Sequence, residues 1–133
     1  LVGTELSIEY AALESGLRRF VHLNKGEFKG RQKLSQWQES GFANTLVTLE
    51  VHETTDADVI GGNPIMLPDG EVIGRATGGG YGFRLEKSLA MAMVRPELAA
   101  VGTELMIDVL DQRLRATVLE ESPYDPDDQR LRA

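Results

Sequence analysis

The residue types best suited to holding a ligand are concentrated in the second half of the chain. Three consecutive glycines, Gly78 to Gly80, are followed by the aromatic residues Tyr81 and Phe83, and Tyr124 lies near the end. Glycine permits close approaches that a side chain would obstruct, and aromatic rings can stack on a flat ligand. The alternative interpretation is that the rings cover one end of a β-structure. We select these residues as candidates for a binding surface.

A carboxylate on a ligand would be matched best by arginine, because a guanidinium group forms paired hydrogen bonds with it. The candidates for such a contact are Arg75, Arg84, Arg95, Arg130 and Arg132. Arg75 directly precedes the glycine-containing stretch and is the one that we select. The alternative for all five is an exposed ion pair with one of the 21 acidic residues.

The glycine run does not match a phosphate-binding loop. No Gly-Lys-Ser or Gly-Lys-Thr follows it, and the pattern places it before a strand, whereas a P-loop precedes a helix. The chain has no cysteine and no Gly-x-Ser-x-Gly motif, so thiolate catalysis and a nucleophile elbow are excluded. We therefore predict no catalytic residue in this chain.

Metal ligation is not indicated by the sequence either. His22 and His52 have no second histidine or carboxylate at a metal-ligand spacing. Asp125, Asp127 and Asp128 offer oxygen ligands, but their spacing is not that of an EF-hand and Pro126 interrupts them. A solvated turn is the better interpretation of this cluster, and we predict no metal site.

The net charge of −7 on 133 residues excludes some classes of partner. A nucleic-acid backbone and an anionic membrane surface would both repel the chain. No apolar stretch approaches the roughly 18 residues of a membrane span. The chain does not begin with methionine, and we expect it to be a processed or truncated piece of a larger protein.

The first half predicts a mixture of helix and strand. Ser7 to Gly16 is typical of a short capped helix, and residues 17–23 alternate as a strand does. Residues 30–40 favour a longer helix that ends at Gly41. Residues 45–51 alternate again and predict a strand with one face toward a core. This half is therefore α+β.

The second half predicts short antiparallel strands. A turn at Asp69-Gly70 leads to a strand at residues 71–75, and a long loop containing the three glycines leads to an apolar, centrally buried strand at residues 89–94. Residues 105–109 and 114–118 alternate around a turn at Asp111-Gln112 and predict a hairpin. Together these short strands predict a small antiparallel β-barrel or a β-sandwich. The polar loop between residues 52 and 63 separates the two halves.

Several motifs together resemble the C-terminal part of the glycine cleavage T-protein (aminomethyltransferase) family. They are Leu13-Glu-Ser-Gly-Leu, Asn24-Lys-Gly-Glu-Phe-Lys-Gly-Arg, Arg75-Ala-Thr-Gly-Gly-Gly-Tyr-Gly-Phe, Lys87-Ser-Leu-Ala-Met-Ala-Met-Val-Arg-Pro and Gly102-Thr-Glu-Leu. Two further runs, Ala99-Ala-Val-Gly-Thr-Glu and Glu120-Glu-Ser-Pro-Tyr-Asp-Pro, are similar to the flavin-dependent dimethylglycine and sarcosine dehydrogenases. Val2 departs from the pattern, because relatives often have an aromatic residue there.

The resemblance implies an architecture and a function. Residues 1–52 would be the end of a ferredoxin-like folate-domain segment, and residues 53–133 a C-terminal β-barrel domain. The parent protein would oxidise an N-methyl amine with FAD and pass the one-carbon unit to tetrahydrofolate. The flavin domain and the catalytic aspartate lie upstream in such proteins. This piece would close the folate cleft, with Arg75, Tyr81, Phe83 and Tyr124 at its rim, and would be inactive alone.

Two rival hypotheses remain open. The parent could be an aminomethyltransferase without a flavin domain, which a dinucleotide fingerprint in the upstream sequence would distinguish. The chain could instead be a stand-alone β-barrel interaction module that binds no folate. The implied partners are the upstream domains, folate and a second copy of the chain. The implied location is the bacterial cytoplasm or the mitochondrial matrix.

Overall fold

The computed structural model, which describes residues 2–54, 57–130 and 132, has a closed six-stranded β-barrel as its centre. The strands are β1 (Thr45–Val51), β2 (Pro64–Met66), β3 (Val72–Gly82), β4 (Lys87–Val94), β5 (Glu104–Val109) and β6 (Gln112–Leu119). They follow one another around the barrel in the order β1-β4-β3-β2-β5-β6. Every neighbouring pair is antiparallel. The predicted antiparallel barrel is confirmed.

The barrel is filled by apolar side chains that alternate with outward-facing ones. Leu49, Ile65 and Ile107 have no exposed surface, and Leu105 and Val118 are almost as deeply buried. Burying each such side chain contributes about 1.5 to 3 kcal/mol. The strand period of two indicates the inward positions of Leu49, Leu105, Ile107 and Val118 in the sequence, and these side chains help to fill the core.

The barrel begins earlier in the chain than predicted. β1 pairs with β4 along its whole length and with β6 on its other side, so the barrel cannot close without residues 45–51. The predicted boundary after residue 52 therefore cuts the first strand away from its barrel. The predicted loop between residues 52 and 63 includes Thr55 and Asp56, which lie outside the described residues. The ferredoxin-like origin of the preceding segment stays a prediction.

The segment before the barrel contains less regular structure than its patterns indicated. Helix α1 (Arg31–Ser40) is confirmed, and Gly41 follows it with a φ of 84°. The helix predicted over residues 7–16 is wrong, because this stretch is a series of turns, and the strand predicted over residues 17–23 is replaced by a short 3₁₀ helix, Arg18–Phe20. No helix among the described residues is long and apolar enough to cross a membrane.

A buried carboxylate explains why residues 7–16 form turns. Glu14 accepts hydrogen bonds from the backbone N–H of Ala11 at 2.9 Å and from that of Asn44 at 3.0 Å. Its own carbonyl accepts the N–H of Leu46 at 2.9 Å. Gly16 follows with a φ of 73°, which ends the turns. Glu14 thus fastens the N-terminal segment to the start of β1.

The three consecutive glycines lie in a strand and not in a loop, which corrects the sequence-based expectation. Gly78, Gly79 and Gly80 pair with Met91, Ala90 and Leu89 of β4, after a bulge between Ala76 and Gly78. A Cβ atom on Gly79 would lie 2.7 Å from the carbonyl oxygen of Leu89 and 2.8 Å from Cβ of Val59. Glycine is needed at this position because the backbone and Val59 fill the space.

The strands on either side of the glycines agree better with their patterns. β4 lies between β1 and β3, as predicted for a central strand, although Met91 is 40% exposed. β5 and β6 form the predicted hairpin. Its turn is at Leu110 and Asp111, one residue earlier than expected, and both residues have positive φ angles of 50° and 61°. Such a pair of angles matches the strand twist in two-residue hairpin turns.

Candidate ligand-binding site

A groove of about 400 Å³ lies on the outer surface of the barrel beside the glycine strand. We call it the β3 groove. It is lined by Glu5, Thr48, Gly78, Gly79, Gly80, Leu89, Ala90, Met91, Glu121 and Pro123. The lining residues come from the N-terminal segment, from three adjacent strands and from the segment after β6. The closed barrel therefore holds the floor rigid, while the two chain ends supply the walls.

The floor of the β3 groove is partly bare backbone. A Cβ atom built on Gly78 or on Gly80 meets no atom within 4 Å, so an ordinary side chain there would project into open space. Leu89 and Met91 lie opposite these glycines in the register of β3 and β4. The missing side chains leave a shallow, apolar surface on which a flat group can lie against peptide planes and the Met91 side chain.

One wall of the groove carries a buried negative charge. Glu5 is only 4% exposed, and its Oε2 accepts a hydrogen bond from Thr4 Oγ1 at 2.6 Å. Burial opposes ionisation of Glu5, but hydrogen bonds to its carboxylate, including those from Thr4 and Thr77, hold its pKa at about 2. Thr48 fixes the other wall by donating to the carbonyl of Glu121 at 3.0 Å.

Arg75 lines a second cavity, of about 310 Å³, together with Gly3, Thr4, Glu9, Gly61, Gly62, Ala76 and Thr77. Its guanidinium donates to Glu9 Oε2 at 2.7 Å and to the hydroxyl of Tyr10 at 3.0 Å. These hydrogen bonds, with that to Glu9 the larger, raise the pKa of Arg75. Arg75 already binds a carboxylate of this chain, so a ligand carboxylate would compete with Glu9 for this guanidinium.

The structure brings together two of the three predicted aromatic residues. Tyr81 and Phe83 contact edge to face with ring centroids 5.1 Å apart, and they are 49% and 84% exposed. Tyr124 has Arg130 over its ring at 5.5 Å and directly follows Pro123, a residue of the groove wall. Arg75 and Tyr81 are six positions apart on β3, or about 20 Å along an extended strand. The role of all four at a folate cleft stays a prediction.

The residues that form the groove walls were not selected from the sequence. Glu5 of the wall, and Thr48 of β1, which holds the wall residue Glu121, come from distant parts of the chain, and nothing local in the sequence places them beside the glycines. Met91 was assigned to a buried strand on its apolar alternation, although its side chain faces the groove. Only the glycine run itself gave a usable signal, because three adjacent residues without side chains exceed what strand pairing needs.

The β3 groove has two features that could contact a small ligand. Its apolar floor can hold a flat body, and the ionised Glu5 carboxylate places a negative charge in the wall beside that floor. Within residues 2–54, 57–130 and 132 there is no cluster of three or more histidine, aspartate or glutamate side chains arranged to hold a metal ion. The bare backbone floor at Gly78 and Gly80 and the apolar lining are the features that suit a small planar molecule.

Comparisons with known proteins agree with this architecture. Dimethylglycine dehydrogenase from Mus musculus is 38% identical over 120 residues, which cover 90% of this chain and 14% of that protein. Aminomethyltransferase from Symbiobacterium thermophilum is 36% identical over 125 residues, which cover 93% of this chain and 32% of that protein. The chain thus spans a third or less of the length of these relatives.

A solved structure supports the fold. The crystal structure of glycine cleavage system aminomethyltransferase T from Bartonella henselae matches with a TM-score of 0.80 at 20% identity, over 91% of this chain and 34% of that one. The family model described as the glycine cleavage T-protein C-terminal barrel domain matches residues 44–125, from just before β1 to just after Tyr124. The chain belongs to the glycine cleavage T-protein family and contains its C-terminal barrel domain.

Proposed function

We propose that this chain is the C-terminal part of an enzyme that oxidises an N-methyl amine and transfers the one-carbon unit to tetrahydrofolate. In this proposal the barrel closes the folate cleft and docks against upstream domains of the same protein. Both the mouse dehydrogenase and the bacterial aminomethyltransferases match nine-tenths of the chain. The similarity to the dehydrogenase, at 38% identity, favours the amine-oxidising parent.

The β3 groove is the observation that carries the proposal. A pterin ring is flat and carries adjacent N–H donors, so it suits a surface of bare peptide planes beside an ionised carboxylate. Gly78 and Gly80 keep that surface free, and Glu5 supplies the carboxylate. Tyr81, Phe83 and Tyr124 would then cover parts of the ligand that extend from the groove. Arg75 would meet a carboxylate of the glutamate tail in place of Glu9.

Tetrahydrofolate would serve as the acceptor of the one-carbon unit. FAD, held by an upstream domain, would supply the two-electron oxidation of the amine, and we assign no flavin contact to this chain. The role of the barrel is to bind and orient the folate and to exclude water from the cleft. Such an enzyme would work in the mitochondrial matrix or, in a bacterium, in the cytoplasm.

The second candidate is an aminomethyltransferase without a flavin domain. The aminomethyltransferase from Synechococcus elongatus, of which the chain covers 33%, is 34% identical over 125 residues. In both candidates the barrel closes a folate cleft. They differ in whether a flavin domain precedes the folate domain. Sequencing the complete reading frame separates them, since a strand followed by Gly-x-Gly-x-x-Gly would favour the dehydrogenase and its absence the transferase.

We expect the purified 133-residue chain to show no turnover, because it has no candidate catalytic residue. The polypeptide from the complete reading frame should oxidise dimethylglycine or sarcosine and form methylenetetrahydrofolate. The measurement is dye-coupled amine oxidation together with chromatographic detection of the folate product. Turnover by the 133-residue chain, or a complete protein that neither oxidises amines nor transfers methylene, would contradict the proposal.

A further inference from the structure

A cavity of about 510 Å³ adjoins the β3 groove, and we call it the Arg18 cavity. It shares Thr48, Met91 and Glu121 with the β3 groove. Most of its other lining is apolar and includes Leu13, Phe42, Leu46, Val101 and Leu119. Because three lining residues are common to both, the groove and the cavity are adjacent parts of one longer cleft.

The register of the barrel shows how far this cleft extends. Gly78 pairs with Met91, Met91 pairs with Thr48, and Thr48 pairs with Leu119. These four residues form a row across β3, β4, β1 and β6, and each of them lines the β3 groove, the Arg18 cavity or both. Neighbouring strands lie about 4.8 Å apart, so the row spans about 14 Å. The cleft therefore has room for a ring on the glycines and a second group beyond Met91.

Arg18 supplies a positive charge in the part of the cleft outside the β3 groove. Within residues 2–54, 57–130 and 132, its guanidinium forms no hydrogen bond and no ion pair. Arg18 is exposed, and it also lines two neighbouring cavities of about 520 and 240 Å³. On a chain with a net charge of −7, an arginine without a carboxylate partner is available to an anionic group of a ligand.

Arg75 is less suited to that role. Its guanidinium already donates to Glu9 Oε2 at 2.7 Å and to the Tyr10 hydroxyl at 3.0 Å. The cavity that Arg75 lines shares no lining residue with the β3 groove, whereas the Arg18 cavity shares three. A ligand that lies on the glycines therefore extends along the cleft toward Arg18, and it would have to leave the cleft to reach Arg75.

The Arg18 cavity also contains a hydrogen-bond acceptor, the side chain of Glu121. A Cβ atom on Gly16 would lie 3.3 Å from Glu121 Oε1, so this carboxylate lies against the bare Gly16 backbone. Glu14, the other acidic residue of the cavity, already accepts two backbone N–H groups. Arg18 and Glu121 together suit a group that has a carboxylate next to an amide N–H.

We propose that the Arg18 cavity binds the p-aminobenzoylglutamate end of the folate, with a carboxylate of the glutamate on Arg18. This inference rests on the proposed function, which places the pterin ring on the glycines, and it revises only which arginine meets the tail. The benzoyl ring lies over Met91, because a thioether makes favourable contacts with aromatic rings. The amide N–H beside the glutamate carboxylate donates to Glu121, and Glu9 keeps Arg75.

The test is calorimetric titration of the 133-residue chain and three variants with tetrahydrofolate. We expect Arg18→Gln to weaken binding at least about tenfold, which is about 1.4 kcal/mol, and Arg75→Gln to change it less than about twofold. Arg113→Gln is the matched control, because Arg113 is exposed and forms no ion pair among the described residues. It lies six positions from Leu119 on β6, or about 20 Å along the strand, and its substitution should leave the affinity unchanged.

The outcomes separate this inference from the folate proposal. Tetrahydrofolate that binds Arg18→Gln as tightly as the parent chain would overturn the inference and leave the folate site in place. A loss of affinity confined to Arg75→Gln would do the same. Absence of binding to the parent chain would overturn the folate proposal and this inference with it.

Nuclear magnetic resonance provides a reading that does not depend on a variant. Tetrahydrofolate should change the chemical shifts of the Arg18 side-chain Nε–H and of the Thr48 and Leu119 amides, in addition to those of Gly78 and Gly80. Changes at the two glycines without any at Arg18 and Leu119 would overturn the inference, even if Arg18→Gln failed to fold.

Discussion

Replacing Gly74 with alanine is expected to destabilise the barrel by about 3 kcal/mol or more. The new Cβ atom would overlap the carbonyl oxygen of Met93 and would lie 2.9 Å from Cα of Val94. Both obstacles are backbone atoms of β4, so no side-chain rotation can relieve them. The register of β3 on β4 would have to change, although β4 is held on its other side by β1. Thermal unfolding should show a fall in Tm of about 10 °C or more.

Gly80→Ala is the matched control for Gly74→Ala. It changes the same residue type in the same strand, but its Cβ meets no atom within 4 Å. We expect a change in the free energy of unfolding of less than about 1 kcal/mol, in the stabilising direction, because alanine loses less conformational entropy than glycine. Equal losses of stability in the two variants would show that close packing is not the reason for glycine at position 74.

Replacing Glu14 with alanine is expected to cost about 2 to 3 kcal/mol of folding free energy. The carboxylate is buried, and its loss leaves the backbone N–H groups of Ala11 and Asn44 without their acceptor. The N-terminal segment should then separate from β1 before the barrel unfolds. Hydrogen exchange should become faster at Ala11 and Asn44, while the core amides of β5 and β6 stay protected.

Glu39→Ala is the control for Glu14→Ala, because Glu39 is an exposed glutamate on α1. Its substitution should change stability by less than about 0.5 kcal/mol. If Glu14→Ala were as mild as Glu39→Ala, the N-terminal segment would be attached to the barrel by other contacts. If the loss in Glu14→Ala spread uniformly over all amides, the segment and the barrel would unfold as one unit.

The sequence predicts antiparallel strands because they alternate on a period of two and each is bounded by turn residues, whereas the choice of a barrel over a sandwich rests on the resemblance to the T-protein family. Residues 45–51, 89–94 and the final hairpin follow this pattern, and the structure places a strand at each. The sequence predicts a loop at the glycine run, and this prediction is wrong for a physical reason. Glycine is a turn signal in the local sequence, whereas Gly74 and Gly79 are required by backbone and side chains of other segments.

The candidate site was less predictable than the fold, because it is made from residues far apart in sequence. Glu5 and Thr48 reach the β3 groove only through barrel closure and through the path of the N-terminal segment. The turns around Glu14 were mistaken for a helix because the acceptor role of a buried carboxylate depends on Asn44, thirty positions away. Arg75 was selected for its chemistry, yet its partner Glu9 could not be identified from the sequence.

The most direct test of the folate proposal is calorimetric titration of the 133-residue chain with tetrahydrofolate. A Cβ atom on Gly80 meets no atom within 4 Å, so Gly80→Leu directs its side chain toward the β3 groove, and Gln36→Leu adds the same side chain at an exposed position of α1. We predict a Kd of about 100 μM or tighter, near −5.5 kcal/mol, for the parent chain and for Gln36→Leu, and at least about tenfold weaker binding for Gly80→Leu. No heat of binding in the parent chain, or equal affinities in all three proteins, would contradict a folate site in this groove.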